Sequence, residues 1–178
     1  MKSVKELQQN TFDTLKGTFG YTNKMQAPKL VKVVVSTGVG KTKGDKKKME
    51  LVADRLAKIT GQKAAQRLAK KSIASFKVRE GQLSGFQVTL RGTKMNDFVD
   101  RLINVALPRT RDFRGIKREA VDAIGNYSLG IKEHTIFPET SDEDIRDVFG
   151  LSITFVTTAK TAKECEAFLE HLGFPFKK

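Results

Sequence analysis

Apolar side chains at Val4, Leu7, Thr11 and Phe12, Leu15 and Phe19 recur three or four positions apart, the spacing that lines one face of an α-helix. This predicts an opening helix that ends near Gly20. After Pro28 the pattern changes to Leu30-Val-Lys-Val-Val-Val35, a β-branched run that reads as a strand and is closed by Gly38 and Gly40. Helical spacing returns at Met49, Val52, Leu56 and Ile59, with Gly61 placed as a C-terminal cap. Phe86, Val88 and Leu90 then alternate with Gln87, Thr89 and Arg91, as in a strand buried on one face only. A third helix is expected over Phe98, Val99, Leu102, Ile103 and Ala106, stopping at Pro108. Leu151, Ile153 and Phe155 alternate with Ser152, Thr154 and Val156 as a further strand. The last helix opens on the capping box Thr161-x-x-Glu164, carries Cys165, Phe168, Leu169 and Leu172, and stops at Gly173.

One-sided strands mixed irregularly with helices predict an α+β fold: a mostly antiparallel sheet, helices packed on one face, and a polar, basic face left open. Residues 1–178 read as a single domain. The stretch 72–81 shows no clean period and is expected to be a mobile loop.

Composition narrows the partner. The 178 residues hold 33 Lys plus Arg and 20 Asp plus Glu, a net charge of +13, which favours a polyanion, either nucleic acid or an anionic membrane surface. Between Lys41 and Glu80 there are 13 basic and 4 acidic residues, whereas Glu133 to Lys178 has 9 acidic and 5 basic. A basic working face and a separate acidic surface follow. One cysteine excludes an internal disulfide framework, and Cys165 with His134 and His171 falls short of a four-ligand zinc site. No metal or cofactor is expected. No apolar run is long enough to span a bilayer, and no apolar segment follows the first lysines, so a cytoplasmic protein is expected.

Ser36-Thr-Gly-Val-Gly-Lys-Thr42 between a strand and a helix mimics the end of a phosphate-cradling P-loop. The glycine needed five residues before Gly40 is replaced by Val35, and no later strand ends in a metal-holding aspartate. A nucleotide hydrolase using Lys41 and Thr42 is therefore the alternative, and a tight glycine turn the preferred reading. Cys165 shares spacing with core positions, and His134 stands alone. Asp142, Glu143, Asp144 and Asp147 read as an exposed acidic helix, with a basic protein partner as the functional alternative. Lys63, Arg67, Lys70, Lys71, Lys77 and Arg79, preceded by Gln62, form the basic region. Such cations supply phosphate contacts, while Gln62 and Thr89 offer hydrogen bonds to riboses or bases.

Three runs resemble a known family: Thr60 through Gly81, Arg111-Asp-Phe-Arg-Gly-Ile116, and Gly125 through Glu139. They are similar, in order, to the signatures of the bacterial large-subunit ribosomal protein L5 family, and the similarity runs from the first helix to Gly173-Phe-Pro-Phe-Lys-Lys178. The resemblance implies a non-enzymatic protein that binds 5S rRNA and anchors it, with large-subunit rRNA and other ribosomal proteins, in the central protuberance. It places Gln62, Thr89 and Arg91 at 5S-contacting positions, beside Lys63 and Arg67. It makes 72–81 the loop that reaches P-site tRNA, through Ser72, Ser75, Phe76, Lys77 and Arg79. It also implies a bridge to a small-subunit head protein, which charge assigns to Asp142, Glu143, Asp144 and Asp147. No membrane partner is implied. One position departs: Ser36 stands where the family usually has an RNA-contacting asparagine. A serine hydroxyl keeps one hydrogen bond but not the paired donor and acceptor of an amide.

Overall fold

The computed structural model describes residues 3–40, 45–140 and 148–177. Helix α1 is Val4–Phe19. The Ser3 hydroxyl accepts the Glu6 N–H at 3.3 Å, and the Glu6 carboxylate accepts the Ser3 N–H at 3.2 Å, so two donors left open by the helix start are satisfied together. Helix α2 is Lys46–Thr60, started by Asp45 and closed by Gly61 in the left-handed conformation, as its spacing predicts. Helix α3, Gly92–Arg101, runs into one wide turn at Leu102–Ala106. It begins at Gly92, ahead of Phe98: the polar first turn, Gly-Thr-Lys, carries no apolar residue, and buried Met95 continues the apolar face of Phe98 and Val99. Helix α4 is Ala162–His171, with Thr161 accepting the Glu164 N–H at 3.3 Å.

The strands are β1 (Leu30–Gly38), β2 (Ala65–Leu68), β3 (Leu83–Leu90), β4 (Tyr127–Ile131) and β5 (Leu151–Thr157). They form one antiparallel sheet in the order β2-β3-β1-β5-β4. The α+β class and the antiparallel sheet agree with the sequence reading. Two strands were not anticipated. All four residues of β2 are exposed, so no face of it alternates, and β4 is short with Gly130 inside it.

The chain divides into two compact units. A terminal unit comprises Met1–Val34, Leu90–Leu129 and Ile153–Lys178, and a central unit comprises Val35–Thr89 and Gly130–Ser152. The dividing line passes through β1, β3, β4 and β5.

In the terminal unit Phe98, Val99, Leu102, Phe155, Phe168 and Leu169 are buried. Helix α1 is tied to α3 by the Val4 N–H on the Asp100 carboxylate at 2.9 Å. It is tied to α4 by the His171 ring nitrogen and the Leu7 carbonyl at 2.8 Å. The Tyr21 hydroxyl donates to buried Glu164, whose other oxygen accepts the Lys160 N–H at 2.7 Å. Burial, and then the carboxylate, push the Tyr21 phenol well above its usual range. In the central unit Val35, Leu56, Ile59, Phe86, Val88, Phe137 and Leu151 are buried, each worth about 1.5–3 kcal/mol of hydrophobic stabilisation.

Candidate nucleic-acid interface

The site lies in the central unit and follows from the sheet's alternation. Along β1, Val33, Val35 and Thr37 are buried while Ser36 points to the other face. Along β3, Phe86, Val88 and Leu90 are buried while Gln87 and Thr89 are half-exposed opposite them. Strand β2 pairs with β3 so that Ala65 faces Gln87 and Arg67 faces Gly85. Cross-strand partners share a face, so Arg67 and Gln87 stand together on the open side.

Arg67 donates its Nε–H to the Gln87 side-chain oxygen at 2.6 Å. That bond fixes the guanidinium while its terminal nitrogens keep donors for an anion. Gln62 donates from Nε2 to the Thr89 backbone carbonyl at 3.3 Å, which brings Gln62 beside β3. Beside them is a shallow depression of about 340 Å³ lined by Ser36, Thr37, Gly38, Arg67, Ser84, Gly85, Phe86 and Gln87. Gly85 permits a close approach of β3 to β1 at its edge: a Cβ there would run into the Thr37 carbonyl oxygen. A glycine inside a strand signals such a close approach, and it was the clue in the sequence to a hollow that Ser84, Gly85 and Gln87 help to line.

Residues 69–82 extend the β2–β3 hairpin into an arm. The Ala69 N–H meets the Gln82 carbonyl at 2.8 Å and the Gly81 N–H returns to the Ala69 carbonyl at 3.0 Å. Ile73 and Val78 exchange bonds of 2.9 and 3.2 Å around a turn at Ala74–Phe76. Lys77 closes that turn with φ 51°, and the Ser72 hydroxyl accepts the Glu80 N–H at 2.9 Å. The stretch without periodicity thus has a locally bonded turn. It gave no signal because Ile73 and Phe76 are exposed, at 46% and 69%. Lys63, Arg67, Lys70, Lys71, Lys77 and Arg79 are all exposed, and Glu80 is the one acidic residue from 62 to 81. Exposed cations along an arm with an aromatic at its tip suit a nucleic-acid backbone with bases to stack on.

Of the expected contact residues, Ser36, Gln62, Lys63, Arg67 and Thr89 therefore belong to one unit, together with Ser72, Ser75, Phe76, Lys77 and Arg79. Arg91 belongs to the terminal unit, exposed at the N-cap of α3. Lys41 and Thr42 of the P-loop-like run, and Asp142, Glu143, Asp144 and Asp147, lie outside the described residues.

Cys165 and His134 are both packed into the interior. Cys165 is fully buried, and burial pushes its thiol up to about 11. His134 is buried against Phe149, ring centroids 4.1 Å apart, and its Nδ1 accepts the Phe149 N–H at 3.3 Å. Among the described residues no group of His, Cys, Asp and Glu could hold a metal ion, and no helix is long and apolar enough to cross a membrane.

Comparison with known proteins bears on the whole chain. Residues 23–79 match the family described as ribosomal protein L5, and residues 83–176 match the model of that ribosomal family's C-terminus. The large ribosomal subunit protein uL5 of Flavobacterium johnsoniae is 53% identical over 173 residues, covering 97% of this chain and 94% of that protein. The protein of the same name from Geobacter sulfurreducens is 50% identical over 178 residues, covering 99% of each chain. That of Ureaplasma parvum is 49% identical over 179 residues, covering 100% of this chain and 97% of the relative.

Proposed function

Because this chain belongs to the ribosomal protein L5 family, we propose that it docks on 5S rRNA through the open face of its central unit. It is a structural component of the cytoplasmic large ribosomal subunit, not an enzyme, and the nucleotide-hydrolase alternative loses its support. The observation that carries the docking is the Arg67–Gln87 bond beside a hollow lined by Gly85, where β3 and β1 approach closely. A guanidinium held at one nitrogen offers a phosphate its remaining donors with little side-chain entropy left to lose. Ser36, Gln62 and Thr89 supply the hydroxyl and amide contacts that fix register, and Lys63 adds charge. Arg91, on the terminal unit, joins the same RNA.

In this reading the arm reaches P-site tRNA, with Ser72 and Ser75 as hydrogen-bonding groups, Lys77 and Arg79 on phosphates, and Phe76 stacking on a base. The chain works as one domain that anchors 5S rRNA beside large-subunit rRNA and other central-protuberance proteins. Asp142, Glu143, Asp144 and Asp147 form the bridge to the small-subunit head.

Titration of 5S rRNA at several salt concentrations tests the docking. Several phosphate contacts give a log–log slope of several units, and Arg67→Ala weakens binding by about tenfold. A flat slope, or equal affinity for unrelated RNA, sinks it. For the arm, crosslinks from 72–81 to P-site tRNA are expected on assembled ribosomes, and their absence there counts against it.

A further inference from the structure

We propose that strand β2, Ala65–Leu68, is an open sheet edge that takes an extended protein segment of alternating acidic and apolar residues as an added strand. The inference rests on the backbone of that edge and goes beyond RNA docking.

Strand β2 ends the sheet, and its partner on one side is β3. Among the described residues no strand or bridge lies on its other side. The opposite end of the sheet differs, because β4 is met at Tyr127 by Val121.

The direction of each peptide group in β2 follows from the pairing. The Ala69 N–H donates to the Gln82 carbonyl, and the Ala69 carbonyl accepts the Gly81 N–H. Ala69 thus turns both groups toward the partner strand. The register shifts between Arg67 and Leu68, where Gly85 and then Leu83 are the partners. The extra residue, Ser84, therefore belongs to β3, and β2 keeps its own alternation. Ala65 and Arg67 turn inward with Ala69, while Gln66 and Leu68 each turn an N–H and a carbonyl outward.

An edge that alternates donors with acceptors matches another peptide backbone, whereas phosphates only accept. Leu68 is 55% exposed and stands across from Leu83. Its aliphatic side chain has no ring for a base to stack on, but it packs well beside an apolar residue of a neighbouring strand. Charge selects among protein partners. Lys63, Arg67, Lys70 and Lys71 are exposed, and no acidic residue lies between 62 and 79. Cations along an edge oppose pairing with a second copy of the chain, since like charges would meet. They favour a strand that brings Asp or Glu.

The test titrates the full chain with a labelled peptide of about eight residues that alternates Glu with Val. A second peptide of the same sequence carries N-methyl groups on alternate amides, which keeps its charge but stops the ladder. The parent peptide should bind about tenfold more tightly than the methylated one. Gln66→Pro removes an outward N–H and none that faces β3, and should weaken the parent by about tenfold. Leu68→Ser should weaken it as well, and both variants should keep 5S rRNA affinity. Equal binding of the two peptides overturns the proposal, because the edge is then a cation patch that any polyanion, RNA included, satisfies. Self-association of the free chain that Gln66→Pro abolishes also overturns it, by giving the edge to a second copy. Far-ultraviolet circular dichroism checks folding, and if Gln66→Pro does not fold, the methylated peptide still decides.

Discussion

The hairpin arm and the arginine loop of the terminal unit, residues 109–117, carry similar charge but are held by opposite means. The arm's bonds close on itself: Ala69 to Gln82 and Gly81, Ile73 to Val78, Ser72 to Glu80. The arginine loop is fastened by residues distant in sequence: Ile116 to Pro175 and Lys177, Lys117 to Tyr127. An arm bonded locally can bend towards a ligand without disturbing the core. A loop fastened to the chain's end and to a buried tyrosine cannot move without breaking contacts in its own unit. Similar charge is thus carried once by an adaptable element and once by a rigid one.

Glycine substitutions break this comparison most directly. Gly81 in the arm has φ 76° with open space around it, whereas Gly115 in the loop has φ 97° and the Lys177 backbone at 2.8 and 2.9 Å from a would-be Cβ. Gly81→Ala should cost about 1 kcal/mol, the left-handed penalty alone. Gly115→Ala should cost about 3 kcal/mol or more, since strain and backbone collision add. Urea unfolding reads both. Equal costs would mean that the loop is as pliant as the arm.

Alkaline titration separates the two surfaces next. Burial pushes the Tyr127 phenol from 10.0 up to about 12. The folded chain therefore holds this proton more tightly than the unfolded chain. The stability it contributes is complete below pH 10 and is lost as pH rises towards about 12. Tyr127→Phe should flatten part of that decline and, at neutral pH, cost about 1 kcal/mol for the lost bond to the Lys117 carbonyl. Hydrogen exchange at 115–118 should quicken in this variant while the arm's amides keep their rates. Faster exchange in both would dissolve the distinction.

How much of this was legible in the sequence depended on burial. Helices α1, α2 and α4 and strands β3 and β5 show one apolar face each, so period and caps disclosed them, while β1 was disclosed by its β-branched run. Strand β2 is solvated on both faces, and the arm turns Ile73 and Phe76 outward, so burial imposed no pattern to read. Motif order marked Gln62, Thr89 and Arg91 as candidates, with Ser36 at a departing position, and charge added Lys63 and Arg67. The bond from Arg67 to Gln87 was hidden because it depends on a register between strands that no local period encodes. The fastening of Arg111-Asp-Phe-Arg-Gly-Ile116 to the tail likewise joins residues some sixty positions apart.

The smallest expected effect sharpens the sheet face alone. Ser36 lines the hollow beside Arg67 and Gln87, at the position where the family pattern carries asparagine. Ser36→Asn adds an amide that can donate and accept at once. One further hydrogen bond to RNA is worth about 1 kcal/mol, so 5S rRNA affinity should rise by about fivefold. If Ser36→Asn leaves 5S affinity where it was, the hollow is not the contact, and the docking rests on Arg67 and the cations around it.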